Sequence, residues 1–163
     1  MQEDTKEGVL HMEEWRLLDL ETTRDAAMNL AIDEAIFLVR TKQSAPQTLR
    51  FWRNVQAAVV GYSQSVEAEV NLELCERENI QVVRRISGGG AVYHDLGNIN
   101  YTVVLDADYR LIKGFDIAES YRVLCSGMIE GLRNLGITAA FKPLSDIFCL
   151  LYTSPSPRDR TRS

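Results

Sequence analysis

Apolar and polar positions divide the chain into a polar start, a patterned middle and a patternless end. Residues 1–13 are polar and aperiodic, which predicts a disordered N-terminal extension, and the pattern begins at "WRLLDL" from Trp15. After the candidate caps Thr22, Thr23 and Asp25, "AAMNLAIDEAIFLVR" repeats Met28, Ala31, Ala35 and Leu38 at helical spacing, with Ile32 and Val39 widening the apolar face. A helix packed through that face is expected. "TLRFWRN" and "AAVVGYSQ" are rich in β-branched and aromatic residues and joined by a short polar link, which predicts a pair of strands. "NLELCERENI" then reads as a short helix and "QVVRRIS" as a strand that leads into three glycines. Beyond them, "AVYHD" and "NYTVVL" read as strands separated by an Asp-Leu-Gly-Asn turn in which Gly97 supplies permissive backbone.

The clearest helix follows. In "DIAESYRVLCSGMIEGLRNLG" the residues Ile117, Tyr121, Leu124, Met128, Leu132 and Leu135 form one apolar stripe. Asp116 and Glu119 can make a capping box, and Gly136 suits a left-handed position after the helix end. Gly127 and Gly131 each cost about 1 kcal/mol of helix propensity, so close packing of a neighbouring element is expected there. "TAAFK" adds a further strand. Strands that cluster instead of alternating strictly with helices predict an α+β, mixed α/β domain: helices packed on a largely antiparallel sheet. At the end, "CLLYTSPSPRDRTRS" changes abruptly to Ser, Pro and Arg without period. A natural disordered tail and translated vector sequence both fit, and the second is preferred. The expected division is therefore an extension at 1–13, an incomplete domain at 14–148 and a tail, foreign in appearance, at 149–163.

Composition narrows the class. The 163 residues suit one domain that buries roughly 70% of its unfolded surface. No apolar run approaches the roughly 18 residues of a membrane span, and the acidic start does not resemble a signal peptide. A net charge of −5 argues against a general nucleic-acid binder, while a local basic patch can still hold a small anion. Cys75, Cys125 and Cys149 are odd in number and widely spaced, as expected of thiols in a reducing, cytoplasmic compartment. With His11 and His94 as the histidines and no C-x-x-C, no zinc spacing exists and no resident metal is expected.

Chemistry concentrates in "RRISGGGAVYHDLGNINY", Arg84 to Tyr101. Three glycines let backbone N–H groups approach a ligand, and Arg84 and Arg85 add positive charge and bidentate donors, a combination suited to phosphate or carboxylate. No G-K-[ST] follows, and neither the G-x-G-x-x-G spacing nor its helix is present, so the Walker and dinucleotide readings fail. The competing reading is a glycine-rich hairpin or bulge with both arginines on a solvated face. His94 can donate to a phosphate oxygen, and Asp95 can orient a ring or end a turn. Asn98 and Asn100 read as turn residues, Cys125 as a buried structural thiol, and Asn29 with Asp33 as a capping or inter-element polar pair. No triad or paired carboxylates emerge from the spacing. The residues alone lead to an anion site for a nucleotide phosphate.

The same stretch closely resembles the lipoate-binding motif of the lipoate–protein ligase A family. "N-x-A-x-D-E-A" at Asn29 to Ala35 and "LRFWRN…VVGYSQ" at Leu49 to Gln64 match that family's earlier blocks in order, and the resemblance spans Trp15 to Phe148. It implies the α/β catalytic fold shared with biotin ligases. It also implies that ATP with Mg2+ converts lipoate to lipoyl-adenylate, from which the lipoyl group passes to a carrier lysine. The carriers are lipoyl domains of 2-oxoacid dehydrogenase complexes and the glycine-cleavage H protein. By resemblance, Arg85 serves the nucleotide and acyl-phosphate side, and Gly88, Gly89 and Gly90 contact the adenylate through their backbone. Ala91, Val92 and Tyr93 line the adjoining wall, His94 lies near the lipoyl end, and Gly61 and Gln64 border the pocket. The family's lysine, in a Gly-Lys-Lys-like segment after an Asp-Ile pair, has no counterpart after Asp146-Ile147, and Lys142 precedes the pair. With that lysine, further strands and any accessory domain or subunit missing, the chain as given is expected not to activate lipoate. The alternatives are ATP-independent lipoyl or octanoyl transfer, although octanoyltransferases of the nearest type carry Gly-Gly-Arg at the glycines, and a fragment that only binds lipoate.

Overall fold

The computed structural model describes residues 14–19, 23–142 and 146–149. The expected extension at 1–13 and residues 150–163 of the expected tail lie outside that range. The chain divides into two compact units, Met1–Asp106 and Ala107–Ser163.

The first unit runs β1 (Trp15–Leu18), α1 (Ala26–Thr41), β2 (Gln47–Trp52), β3 (Ala57–Val60), α2 (Val66–Glu69), α3 (Leu72–Arg77), β4 (Gln81–Arg84), β5 (Val92–His94) and β6 (Asn100–Val104). Its strands form two three-stranded sheets, ordered β1-β2-β6 and β4-β3-β5. In each, one neighbour of the central strand is parallel (β1 to β2, β4 to β3) and the other antiparallel (β6 to β2, β5 to β3). The two segments expected to pair, β2 and β3, are both strands but not partners. Each already has a neighbour on both edges, and the link between them turns inward: Val55 N donates to Arg24 O at 2.9 Å and Asn54 is fully buried.

Helix α1 begins where Asp25 Oδ1 accepts from Met28 N at 2.8 Å. Gln81 clamps the same end from β4, its Oε1 accepting from Ala26 N at 2.7 Å and its Nε2 donating to Asp25 Oδ2 at 2.6 Å. Asp25 is consequently held below the usual carboxylate range, chiefly by the hydrogen bond from Met28 N and then by that from Gln81. The inward face of the helix is not the expected one. Ala26, Asn29 and Ile36 are buried, with Leu30 packed on the core, whereas Met28 is 54% and Leu38 48% exposed. The whole stripe is turned by about one residue because polar groups set it: Asn29 and Asp33 face β2, where Thr48, Arg50 and Trp52 alternate inward. The apolar core beside them is compact, with Ala26 against Ala57 and Val59 and with Leu30 and Val83 at its margin.

The second unit contains α4 (Ile117–Asn134) and the antiparallel hairpin β7 (Ala139–Lys142) with β8 (Asp146–Cys149). Asp116 Oδ1 caps α4 by accepting from Glu119 N at 2.8 Å and Gly136 takes a φ of 79°, as expected, but the expected capping box is only half made, because the Glu119 carboxylate accepts from Arg122 instead. Cys125 is buried as expected, while the ends of the apolar stripe, Ile117 and Leu135, are exposed. The close approach expected at Gly127 and Gly131 is not found: a Cβ at either would meet nothing within 4 Å. Both lie on the exposed side of the helix, away from Cys125. The chain is thus a mixed α/β fold with antiparallel-dominated sheets, as the sequence reading has it.

Candidate functional site

Parallel pairing of β3 with β4 places Val60 beside Arg84, so the two strands end together and their loops meet. Tyr62 N donates to Ser87 O at 3.0 Å and Arg85 N to Val60 O at 3.0 Å. Gly61 is required at this meeting point, because a Cβ there would lie 2.2 Å from Gly89 O. Gln64 folds back, its Oε1 accepting from Gly61 N at 2.8 Å. Arg84 then gathers that loop, Nη1 donating to the carbonyls of Gly61, Tyr62 and Gln64 at 2.8, 3.0 and 2.7 Å.

Arg85 does the same for the glycines. Its Nε and Nη2 donate to Gly88 O at 3.2 and 2.8 Å, Nη2 also to Gly90 O at 2.8 Å, and Nη1 to Val59 O at 3.2 Å. Drawing two alternate carbonyls to one side requires an unusual backbone between them, and Gly89 supplies it with a φ of 96°. Among the described residues, the N–H groups of Gly88, Gly89 and Gly90 donate to no protein acceptor. The loop is exposed, with carbonyls committed to a cation and three amide donors left over, which is the composition of an anion-binding nest. Arg84 is exposed and Arg85 half-buried, and both are engaged by backbone carbonyls, so neither is the unengaged surface arginine of the plain hairpin reading.

Ala91 is half-buried, Val92 and Tyr93 are exposed, and β5 carries them to His94, in register with Ala57 of β3. His94 is half-buried, with its ring 5.9 Å from Trp52 in an edge contact and its Nδ1 3.2 Å from Asn54 Nδ2. Burial lowers its pKa below the ordinary histidine value, and the charge of Arg85 adds to that, so the ring is neutral at neutral pH. Asp95 ends the turn and does not orient the ring: Oδ1 accepts from Gly97 N at 2.8 Å, and Asn98 Oδ1 accepts from Asp95 N at 3.0 Å. Gly97 itself has no positive φ, contrary to the expected use of its backbone freedom; its tight neighbour is the Asp95 carboxylate, 3.1 Å from where a Cβ would sit.

Behind His94 lies a network that sequence reasoning grasped only at one end, as the pair Asn29 and Asp33. Asp33 Oδ1 accepts from Arg50 Nη1 at 2.5 Å and Oδ2 from Thr102 Oγ1 at 2.7 Å. Arg50 also stands 5.3 Å above the Trp52 ring, and Trp52 Nε1 donates to Thr102 Oγ1 at 3.2 Å. The missed signal was the period-two placement of Thr48, Arg50 and Trp52 on the inner side of β2, where a buried cation demands a carboxylate elsewhere. No group of three or more His, Cys, Asp or Glu side chains among the described residues could hold a metal ion, and no described helix is long and apolar enough to cross a membrane.

Comparison with known proteins places this geometry. The profile of the lipoyl protein ligase A/B catalytic domain matches residues 25–150. Lipoate-protein ligase A subunit 1 of Thermoplasma acidophilum is 40% identical over 134 residues, which is 82% of this chain and 49% of that protein. Octanoyltransferase LipM of Halalkalibacterium halodurans is 36% identical over 131 residues, covering 80% of this chain and 46% of LipM. Among solved structures, a bipartite lipoate protein ligase described with its E2 lipoyl domain, from Thermoplasma acidophilum, superposes with a TM-score of 0.75 at 38% identity, over 85% of this chain and 52% of that one. Lipoate-protein ligase A bound with ATP gives a TM-score of 0.68 at 38% identity, over 82% and 51%. The chain spans about half the length of the curated relatives it matches. With the profile covering most of the chain and these relatives agreeing, the chain belongs to the lipoyl protein ligase A/B catalytic domain family.

Proposed function

We propose that this chain carries the acyl-adenylate site of an ATP-dependent lipoate–protein ligase. The observation that carries the reading is the glycine loop: three adjacent amide donors without protein acceptors, beside the charge of Arg85. A carboxylate attacks the α-phosphate of ATP, giving a mixed anhydride and pyrophosphate; a lysine amine then attacks the acyl carbon and AMP leaves. Neither step requires a protein nucleophile, so holding the anhydride by N–H donors and positive charge is the main demand on the protein. Gly88, Gly89 and Gly90 hold its phosphate, Arg85 shapes the loop and contributes charge, and Ala91, Val92 and Tyr93 flank the acyl chain. His94 faces the lipoyl end, and Gly61 and Gln64 form the border. Magnesium enters with the phosphates of ATP as part of the substrate. Acceptors of the lipoyl group are lipoyl domains, in keeping with the E2 domain described with the similar bipartite ligase, and a second subunit completes the working enzyme.

ATP-independent octanoyl or lipoyl transfer is the second reading, favoured by the likeness to LipM. Calorimetry separates the two. For a ligase, a non-hydrolysable sulfamate analogue of lipoyl-adenylate binds at least tenfold more tightly than lipoate alone, about 1.4 kcal/mol. Equal affinity for the two would overturn the ligase reading in favour of transfer without a nucleotide.

A further inference from the structure

The hydrogen bonds behind His94 run in one direction only. A guanidinium has no acceptor, so the contact of 2.5 Å between Arg50 Nη2 and Asn29 identifies the Asn29 atom as its carbonyl oxygen, Oδ1. The other amide atom, Nδ2, reaches the carbonyls of Thr23 at 3.2 Å and Arg53 at 2.9 Å, which only accept, so the same orientation follows independently. That Nδ2 also lies 2.9 Å from Asn54 Oδ1, and its two hydrogens serve the two 2.9 Å acceptors, leaving Thr23 O at 3.2 Å at most a shared one. Asn54 must then present its own Nδ2 to His94 Nδ1, 3.2 Å away, and a nitrogen that receives a hydrogen bond carries no proton. The proton of the neutral ring is left on Nε2. Neither asparagine reverses without cost, because turning Asn29 would set its amide nitrogen against Arg50 Nη2 and turning Asn54 would set its own against Asn29 Nδ2. Arg50 is itself fixed by Asp33, by Asn29 O at 3.0 Å and by the Trp52 ring.

We propose that Asn29 and Asn54, oriented by Arg50, are positioning residues that hold His94 in the Nε2–H tautomer, making it a neutral hydrogen-bond donor to an oxygen of the bound acyl-adenylate. This rests on the glycine loop being the adenylate site. The assignment gives His94 a role different from that of a general base: Nδ1, which could accept a proton, is occupied, and Nε2 already carries one. The surrounding groups agree with a neutral ring. Arg85 approaches with positive charge, the Asp95 carboxylate is taken up by Gly97 N, the Asp33 carboxylate by Arg50 and Thr102, and Trp52 offers a ring edge. Protonation of His94 would point Nδ1–H at the Asn54 amide donor and break the last bond of the relay.

The test is a long-range proton–nitrogen NMR correlation on the whole chain labelled with 15N-histidine, His11 being assigned by the His11→Gln variant. At neutral pH, His94 shows a protonated Nε2 and a bare Nδ1. In Asn54→Asp the new carboxylate accepts from Nδ1, so the tautomer inverts and the His94 titration midpoint moves up. A wild-type ring with its proton on Nδ1, or one charged at neutral pH, overturns the proposal, as does a folded Asn54→Asp variant that keeps Nε2–H. If that variant does not fold, the wild-type spectrum decides. Adding the sulfamate analogue separates the two layers of the argument. Perturbation of both the glycine amides and Nε2 supports the donor role, and glycine shifts without Nε2 shifts overturn it. If neither moves while the tautomer is as stated, the adenylate-site reading falls and with it the donor role.

Discussion

At the scale of residues, the site depends on contacts too close for substitution. A methyl group at Gly61 would lie 2.2 Å from a backbone oxygen of Gly89 and force the two loops apart. Gly61→Ala is expected to destabilise the chain by about 1–3 kcal/mol, in the range of overpacking, and to weaken binding of the adenylate analogue at least tenfold. Denaturant unfolding and calorimetry check both effects, and unchanged affinity would show that loop contact is irrelevant to the ligand. His94 gives a pH prediction whose sign follows from its lowered native pKa. The unfolded ring binds a proton first as pH falls, so its neutral burial contributes stability that is present above about pH 6.5 and lost below it. Comparing His94→Gln with wild type from pH 7.5 to pH 5 should show a shallower loss of stability in the variant. Parallel curves would contradict the assignment. Arg85 shows what sequence can and cannot disclose at this scale. Its pairing with the glycines was legible as charge beside flexible backbone, yet nothing in the sequence indicates that its donors are directed at the loop's own carbonyls.

At the scale of elements, α1 shows how a buried polar network overrides apolar spacing. Counting hydrophobic positions selects Met28, Ala31, Ala35 and Leu38, because the count passes over Asn29 and Asp33, which are read separately as a capping or inter-element polar pair. The fold turns them inward, since Arg50 is buried on β2 and needs their oxygens. Asp33→Ala should therefore cost about 3 kcal/mol or more by stranding a buried guanidinium, whereas Leu38→Ala on the exposed side should stay within about 0.5 kcal/mol. The reverse order in thermal denaturation would restore the apolar face that spacing suggests. In α4, the glycines that promised a packing partner have open space, so Gly127→Ala is predicted to stabilise by up to about 1 kcal/mol through helix propensity. A destabilised variant would reveal a packing partner for that side of the helix. Most elements were readable, with the cap at Asp116 and the left-handed Gly136 following from local chemistry and Asp25 one of three candidate caps, but the sequence reading misses the short α2, the strand β8 and the cap at Asn71. Partner choice was not readable. β2 and β3 are neighbours in sequence but bind different strands, because pairing is decided by contacts distant in the chain.

At the scale of the whole molecule, the glycine loop, His94 and the network behind it all belong to the first unit, Met1–Asp106. The family was legible because its longest motif holds a loop whose backbone geometry only a narrow set of residues permits: glycine at Gly89, with Arg84 ending β4 and Arg85 just after it, against Gly61 of the earlier block. What separates a ligase from a transferase within that family is whether a nucleotide is bound, and relatives of both kinds resemble this chain. The most direct measurement is an amide NMR titration of the 15N-labelled chain with the sulfamate analogue of lipoyl-adenylate. The largest saturable shifts should fall on Gly88, Gly89 and Gly90, with smaller ones at Tyr62 to Gln64 and at Val92 to His94. Saturable shifts located elsewhere, with the glycine amides unmoved, would contradict the account.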